Sequence, residues 1–305
     1  MRRMREFATT RSSLKMVKMF VKDPFSNYIY QKQLEGLMAR FKKETRFPCY
    51  NVGKLTYACN RRNFYGVKDM FDGVFQDFDR EGIVRMTMGQ IMHDSFELSP
   101  KAEWHLAYND IYGHIDEYFP DTKILMEKKT TMNEIKQWKQ TLNKAGGDRF
   151  RYLPGEEWEN QLRYYYLLIQ KGKEVHTDDK GKKFVSDVLA NPKKELMVRR
   201  TYVLYYCSTD IDSILQPFII PVPMNADKWN LDFIEEELFS KKQEIEDHLL
   251  AKSVPARYMS PFKCPYCPYM LRCFHTDADD EEIPADIKQR LGKRTVEAKA
   301  MEMKL

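Results

Sequence analysis

Asp116, Glu127 and Lys129 are the side chains in this sequence whose types and spacing best suit chemistry. Gly113-His114-Ile115-Asp116 and Glu127-Lys128-Lys129 fall in two apolar-rich segments, 107–118 and 123–130, separated by Phe119-Pro120-Asp121-Thr122. Pro-Asp is turn chemistry, so the stretch reads as a β-hairpin. Adjacent antiparallel strands set Asp116 beside Glu127, and the two-residue period puts Lys129 on the Glu127 face. Paired carboxylates suit a hard cation such as Mg²⁺ or Mn²⁺. A cation held there polarises a phosphodiester and lowers the pKa of its bound water. The ammonium can position or deprotonate that water, or neutralise charge in the transition state. By itself a D…E-x-K pattern also describes an ordinary charged strand.

Other residues join this set. Gly89-Gln90-Ile91-Met92-His93 offers an imidazole for the metal shell, within a helix expected over 86–98. Gln161 and Tyr165, four apart, share one face of a helix expected over 156–171. A lone helical His and a Gln/Tyr pair are each more often packing residues.

Cysteines form a second constellation. Cys264, Cys267 and Cys273 follow C-x2-C-x5-C, one thiolate short of the four that a cubane cluster or tetrahedral zinc takes. Cys59 is the natural fourth ligand, and Cys49 ranks below it. Spacing alone leaves iron–sulfur and zinc both open. Cys207, after an apolar run, reads as a core thiol.

The elements that must position these residues alternate in type. Helices are expected over 12–43, over 54–66 with Cys59 inside, and over 231–252; strands are expected over 196–207 and 217–223. Thr177 to Lys183 reads as a polar loop. Strands flanked by helices imply an α/β domain around a mixed sheet. Three regions follow: a basic helical arm over 1–45, the main domain over 46–275, and a charged tail over 276–305.

Composition sets limits. The chain has 305 residues, 43% hydrophobic and 13% aromatic, with a formal net charge of +5. That is globular rather than disordered composition. Eleven Lys or Arg fall within residues 1–45, which suits a phosphate backbone or a solvated helix face. No apolar run approaches a membrane span and no signal-peptide core is present, so the expectation is a cytoplasmic protein with no membrane partner. Reduced thiols there favour metal binding over disulfides.

The order Cys59, G-x3-H ending at His93, G-x-x-D ending at Asp116, E-x-K at 127–129, Q-x3-Y at 161–165 and the late cysteines resembles the RecB-like branch of PD-(D/E)XK nucleases. Within it, the chain is similar to the CRISPR-associated protein 4 family of iron–sulfur nucleases, over roughly residues 52–275. The resemblance implies a restriction-endonuclease-like mixed sheet flanked by helices, with a cysteine-ligated cluster joining N- and C-terminal segments. It implies that His93, Asp116, Glu127 and the Lys128 carbonyl bind Mg²⁺ or Mn²⁺. Lys129 would be the catalytic lysine, Gln161 and Tyr165 the accessory pair, and Cys59, Cys264, Cys267 and Cys273 the ligands of a [4Fe–4S] cluster. The implied activity is hydrolysis of single-stranded DNA or overhangs, favouring 5′ to 3′ exonuclease action, with endonuclease activity also in the family's range. The setting would be CRISPR spacer processing with adaptation proteins, or DNA repair and recombination, and a homo-oligomer is compatible. The alternative is a DNA-end-binding partner of a larger complex with weak or no catalysis. The sequence departs from the family in having Cys59-Asn60-Arg61 where Cys-Pro-Arg is usual, and no proline before Asp116.

Overall fold

The computed structural model describes residues 50–72, 89, 91, 97–131, 155–179, 182–207, 218–256, 267–269 and 272–273. The chain divides into two compact units, Met1–Arg46 and Phe47–Leu305, and every described residue belongs to the second. The expected helix over 12–43, the arm, the tail, His93 and Cys264 lie outside the described residues.

Eight strands form one mixed sheet: β1 (Tyr50–Asn51), β2 (Lys101–Tyr108), β3 (Ile111–Phe119), β4 (Ile124–Thr131), β5 (Lys173–Thr177), β6 (Lys183–Leu189), β7 (Arg200–Cys207) and β8 (Phe218–Val222). Their order is β6-β5-β2-β3-β4-β7-β8, with β1 parallel to β3. Neighbours pair antiparallel except β4 with β7, which run parallel in register from Ile124↔Arg200 to Thr131↔Cys207. Four helices complete the described fold: α1 (Val52–Leu55), α2 (Asn60–Phe71), α3 (Gly155–Lys171) and α4 (Leu231–Leu250). A parallel pair needs a long crossover, and the path from β4 to β7 includes α3. The expected α/β architecture around a mixed sheet is therefore present. No described helix is long and apolar enough to cross a membrane.

Three local expectations change. The segment 107–118 is not one strand: β2 ends at Tyr108, and Asn109 and Asp110 turn with φ of 45° and 64° before β3 begins. Two positive φ values in a two-residue loop match the right-handed twist of a hairpin, and Asn and Asp tolerate them. The polar loop expected from Thr177 is flanked by two strands that the sequence did not suggest: β5 ends at Thr177, and β6, antiparallel to it, begins at Lys183. The helix expected over 54–66 is broken. α1 stops at Leu55, and Cys59 is the extended N-cap of α2 rather than a helical residue.

α3 is the central helix of the core. Trp158, Leu162, Tyr165, Leu167, Leu168 and Ile169 are buried on it. Its fit against β3 depends on Gly113, where an added Cβ would lie 2.3 Å from Leu168 Cδ1 and 3.1 Å from Tyr165 Cε1. Here the absent side chain is a packing requirement, because interiors hold no spare volume for a methyl group. α4 starts at Asn230, whose side chain accepts from the Asp232 and Phe233 amides. It is tied to α3 by Arg163 Nη2 donating to Glu237 at 2.7 Å and by the Tyr164 hydroxyl donating to the same carboxylate at 2.6 Å.

Candidate active site

β3 and β4 pair only at Glu117↔Met126, Tyr118↔Leu125 and Phe119↔Ile124. The next opposed residues in that register are Asp116 and Glu127. There the ladder stops, and an Asp116 carboxylate oxygen accepts from the Lys128 amide at 2.6 Å instead. An amide that has lost its ladder partner still needs an acceptor when buried, and the carboxylate serves. On the other side of β3 the register with β2 passes from Ala102↔Glu117 to Trp104↔Ile115. It skips Glu103 and Asp116, and Glu103 takes a φ of 48°. A non-glycine residue in that region inside a strand is strained, and such strain gathers at sites where geometry is over-determined.

The irregularity brings five of the sequence-identified residues together. Asp116 and Glu127 are buried, at 4% and 2% exposure. The Lys129 ammonium donates to Glu127 and, at 3.0 Å, to Gln161 Oε1. Gln161 Nε2 donates to the Tyr165 hydroxyl at 2.7 Å. The four-residue spacing on α3 thus aims both side chains at the strand carrying Lys129.

Electrostatics follow from this packing. Burial pushes the Lys129 ammonium down, but the charges of Glu127 and Asp116 outweigh it, and the net shift is upward. Lys129 is therefore a cation at neutral pH, suited to neutralising developing negative charge rather than to taking a proton. Burial, then the same two carboxylates, push the Tyr165 hydroxyl well above the ordinary phenol range, so it stays a neutral hydroxyl.

Lys128 turns to the opposite face of the sheet. Its side chain has no exposure, and its ammonium donates to Glu117 at 3.0 Å and Glu103 at 3.1 Å. Glu117 also accepts from the Leu98 amide at 3.0 Å. His114 Nε2 lies 2.5 Å from the other oxygen of Glu103, and its ring stacks on His105 with centroids 4.2 Å apart. Burial lowers Lys128, but Glu117 and Glu103 reverse this and hold it above the usual lysine value. Sequence reading missed this cluster. Its signal was a lysine between two residues expected on the other face, with Glu103, His114 and Glu117 nearby in β-rich sequence.

Three of the four candidate cysteines, Cys59, Cys267 and Cys273, lie within electrostatic reach of one another. Cys59 precedes α2, and the late segment packs on that helix: the Tyr65 and Tyr269 rings stand 5.6 Å apart, and Arg272 pairs with Asp69 at 2.5 Å. Burial pushes the Cys267 thiol up to about 11, and Cys59 and Cys273 are close enough to add to that shift, while Arg62 opposes it. Among the described residues no group of three or more His, Cys, Asp and Glu side chains stands in an arrangement that could hold a metal ion. By donor chemistry the residues present suit two groups. Neighbouring thiols suit a soft cationic centre, and the carboxylates at 116 and 127 suit a hard divalent ion. No protein-family model matches the sequence. No curated protein matches it either.

Proposed function

We propose that this protein is a divalent-metal-dependent DNA nuclease of the PD-(D/E)XK type with a structural iron–sulfur centre. The observation that carries this reading is the convergence of Asp116, Glu127, Lys129, Gln161 and Tyr165 where β3 and β4 separate. Five residues from two strands and one helix meet at a break in the sheet, where a charged strand with only solvent to face would not need them.

Asp116 and Glu127 would hold Mg²⁺ or Mn²⁺, with His93 and the Lys128 carbonyl completing the shell as the family resemblance implies. A cation bound there would supply Lewis acidity and a water of lowered pKa. Glu127 and Gln161 hold the Lys129 ammonium in place, so its charge meets the phosphodiester without reorganisation at the moment of reaction. Tyr165, kept neutral, holds Gln161 through its hydroxyl. Cys59, Cys264, Cys267 and Cys273 would hold a [4Fe–4S] cluster that ties α2 to the C-terminal segment. The preferred substrate is single-stranded DNA or an overhang, with 5′ to 3′ exonuclease polarity.

Digestion of end-labelled single- and double-stranded DNA in Mn²⁺ or Mg²⁺ tests the reading. Cleavage by the wild type and its loss in Lys129→Ala and Glu127→Ala are the expected results. Equal cleavage by both variants sinks the active-site assignment. Iron analysis and a visible absorption spectrum test the cluster, and a colourless protein containing zinc but no iron overturns it.

A further inference from the structure

Two arginines stand side by side in the first turn of α2, and their surroundings differ. Arg61 is buried: its Nε donates to the Pro255 carbonyl at 2.7 Å and one Nη to the Cys273 carbonyl at 3.3 Å. Its donors are spent on holding the C-terminal segment. Arg62 is half-buried, and its guanidinium carbon lies 3.4 Å from the centroid of the Tyr57 ring. Among the described residues it has no hydrogen bond or ion pair.

Tyr57 is a fixed platform. Its amide donates to Asn63 Oδ1 at 3.3 Å, and its carbonyl accepts from Asn63 Nδ2 at 2.8 Å, with Asn63 fully buried. The carbonyl of the preceding residue, Thr56, accepts from Asn160 Nδ2 at 3.1 Å. Asn160 and Gln161 are consecutive on α3, so the platform docks on the same turn of the helix that carries the residue holding Lys129. Consistent with this, Tyr57 lies near enough to the Lys129 ammonium to influence it electrostatically.

A guanidinium lying flat on a ring keeps its N–H donors in the plane of its fork, pointing away from the ring. That fork matches two oxygens of a phosphodiester, and stacking removes much of the freedom that binding would otherwise cost. We propose that Arg62, held over the face of the Tyr57 ring, is a phosphate-binding site that takes the DNA backbone beside the candidate active site. The proposal rests on the nuclease reading and adds to it the residue that grips the strand. Arg62 binds and does not react. The competing role is that of a counter-charge for the thiols, since Arg62 also acts on Cys267.

The test uses the full chain and a fluorescent single-stranded oligonucleotide, titrated by anisotropy in EDTA over a range of salt concentrations, with iron content measured for every variant. Arg62→Gln is expected to weaken binding roughly tenfold, irrespective of oligonucleotide sequence, and to reduce the log–log salt slope by about one. Arg62→Lys recovers part of the affinity, because it restores the charge without the fork. Tyr57→Leu loses affinity in the same direction, and Tyr57→Phe keeps it. Wild-type affinity and slope in Arg62→Gln overturn the proposal while leaving the nuclease reading intact. Loss of iron in Arg62→Gln also overturns it, assigning the arginine to the thiols. A wild type that neither binds nor cuts DNA overturns both readings.

Discussion

Lys128 has no exposed side-chain surface and ends between Glu117 and Glu103, whereas Lys129 keeps 26% of its side chain exposed and ends between Glu127 and Gln161. Both lysines are held above their ordinary pKa by two carboxylates each, against burial that pushes the other way. What separates them is access. Lys128 and Glu117 are fully buried within their network, which meets solvent only through Glu103 and His114. The Lys129 network lies where the strands part, and its ammonium keeps contact with solvent. A perturbed lysine is therefore poor evidence of function until its exposure and its neighbours are known.

Substitutions on the two faces should separate these roles. The largest effect is expected for Lys129→Ala, which should cut DNA cleavage about 10²- to 10⁴-fold with little change in thermal stability. A variant that cleaves normally but melts early would place Lys129 with Lys128 as a structural cation. Lys128→Met should do the reverse. Leaving Glu117 buried without its cation is expected to cost about 3–5 kcal/mol in denaturant unfolding. Unchanged stability would mean that the Lys128 ammonium is not needed to keep Glu117 in the fold.

Between these lies Gly113→Val, which drives a side chain into Leu168 and Tyr165. Overpacking of this kind costs about 1–3 kcal/mol. Because Tyr165 also holds Gln161, cleavage should fall further than stability alone explains. Activity tracking the folded fraction would show that the helix shifts as a whole without disturbing the site.

A pH dependence is also expected on the Lys128 face. Burial, then the nearby His114 and Lys183 charges, push the His105 imidazole down to about 3. An unfolded histidine titrates near about 6.5. Between those two values the unfolded chain binds the extra proton, so stability falls as pH drops from about 6.5 towards about 3. His105→Gln should flatten the slope in that window. An unchanged slope assigns the acid lability to other groups, such as Glu237, which Tyr164, Lys241 and Arg163 hold below the usual carboxylate range despite its burial.

Much of the candidate site was legible because local rules govern it. Residues 127 and 129 share a face by strand period, and 161 and 165 by helix period, whatever surrounds them. The same periods explain what was missed. If 127 and 129 face the site, 128 must face away, and a lysine there demands carboxylates behind the sheet. The break at Thr56 to Cys59 was not legible, because apolar spacing continues through it. It is held open by a non-local bond, Asn160 to the Thr56 carbonyl, and by Asn63, six residues on, bonding the amide and carbonyl of Tyr57. Asn109-Asp110 was a readable turn overlooked within an apolar stretch.

Taken alone, the sequence determined the α/β class, the hairpin that carries the carboxylates, and which side chains share a strand or helix face there. Those depend on interactions within a few residues. Only the tertiary structure decided that β3 and β4 part at Asp116, that α3 lies close enough over Gly113 to bring Gln161 to Lys129, and that Arg61 is spent on the C-terminal segment while Arg62 is left beside Tyr57. Each of these is set by contacts between residues far apart in the chain, where packing volume and the need to satisfy buried polar groups choose among arrangements that local propensity leaves equal.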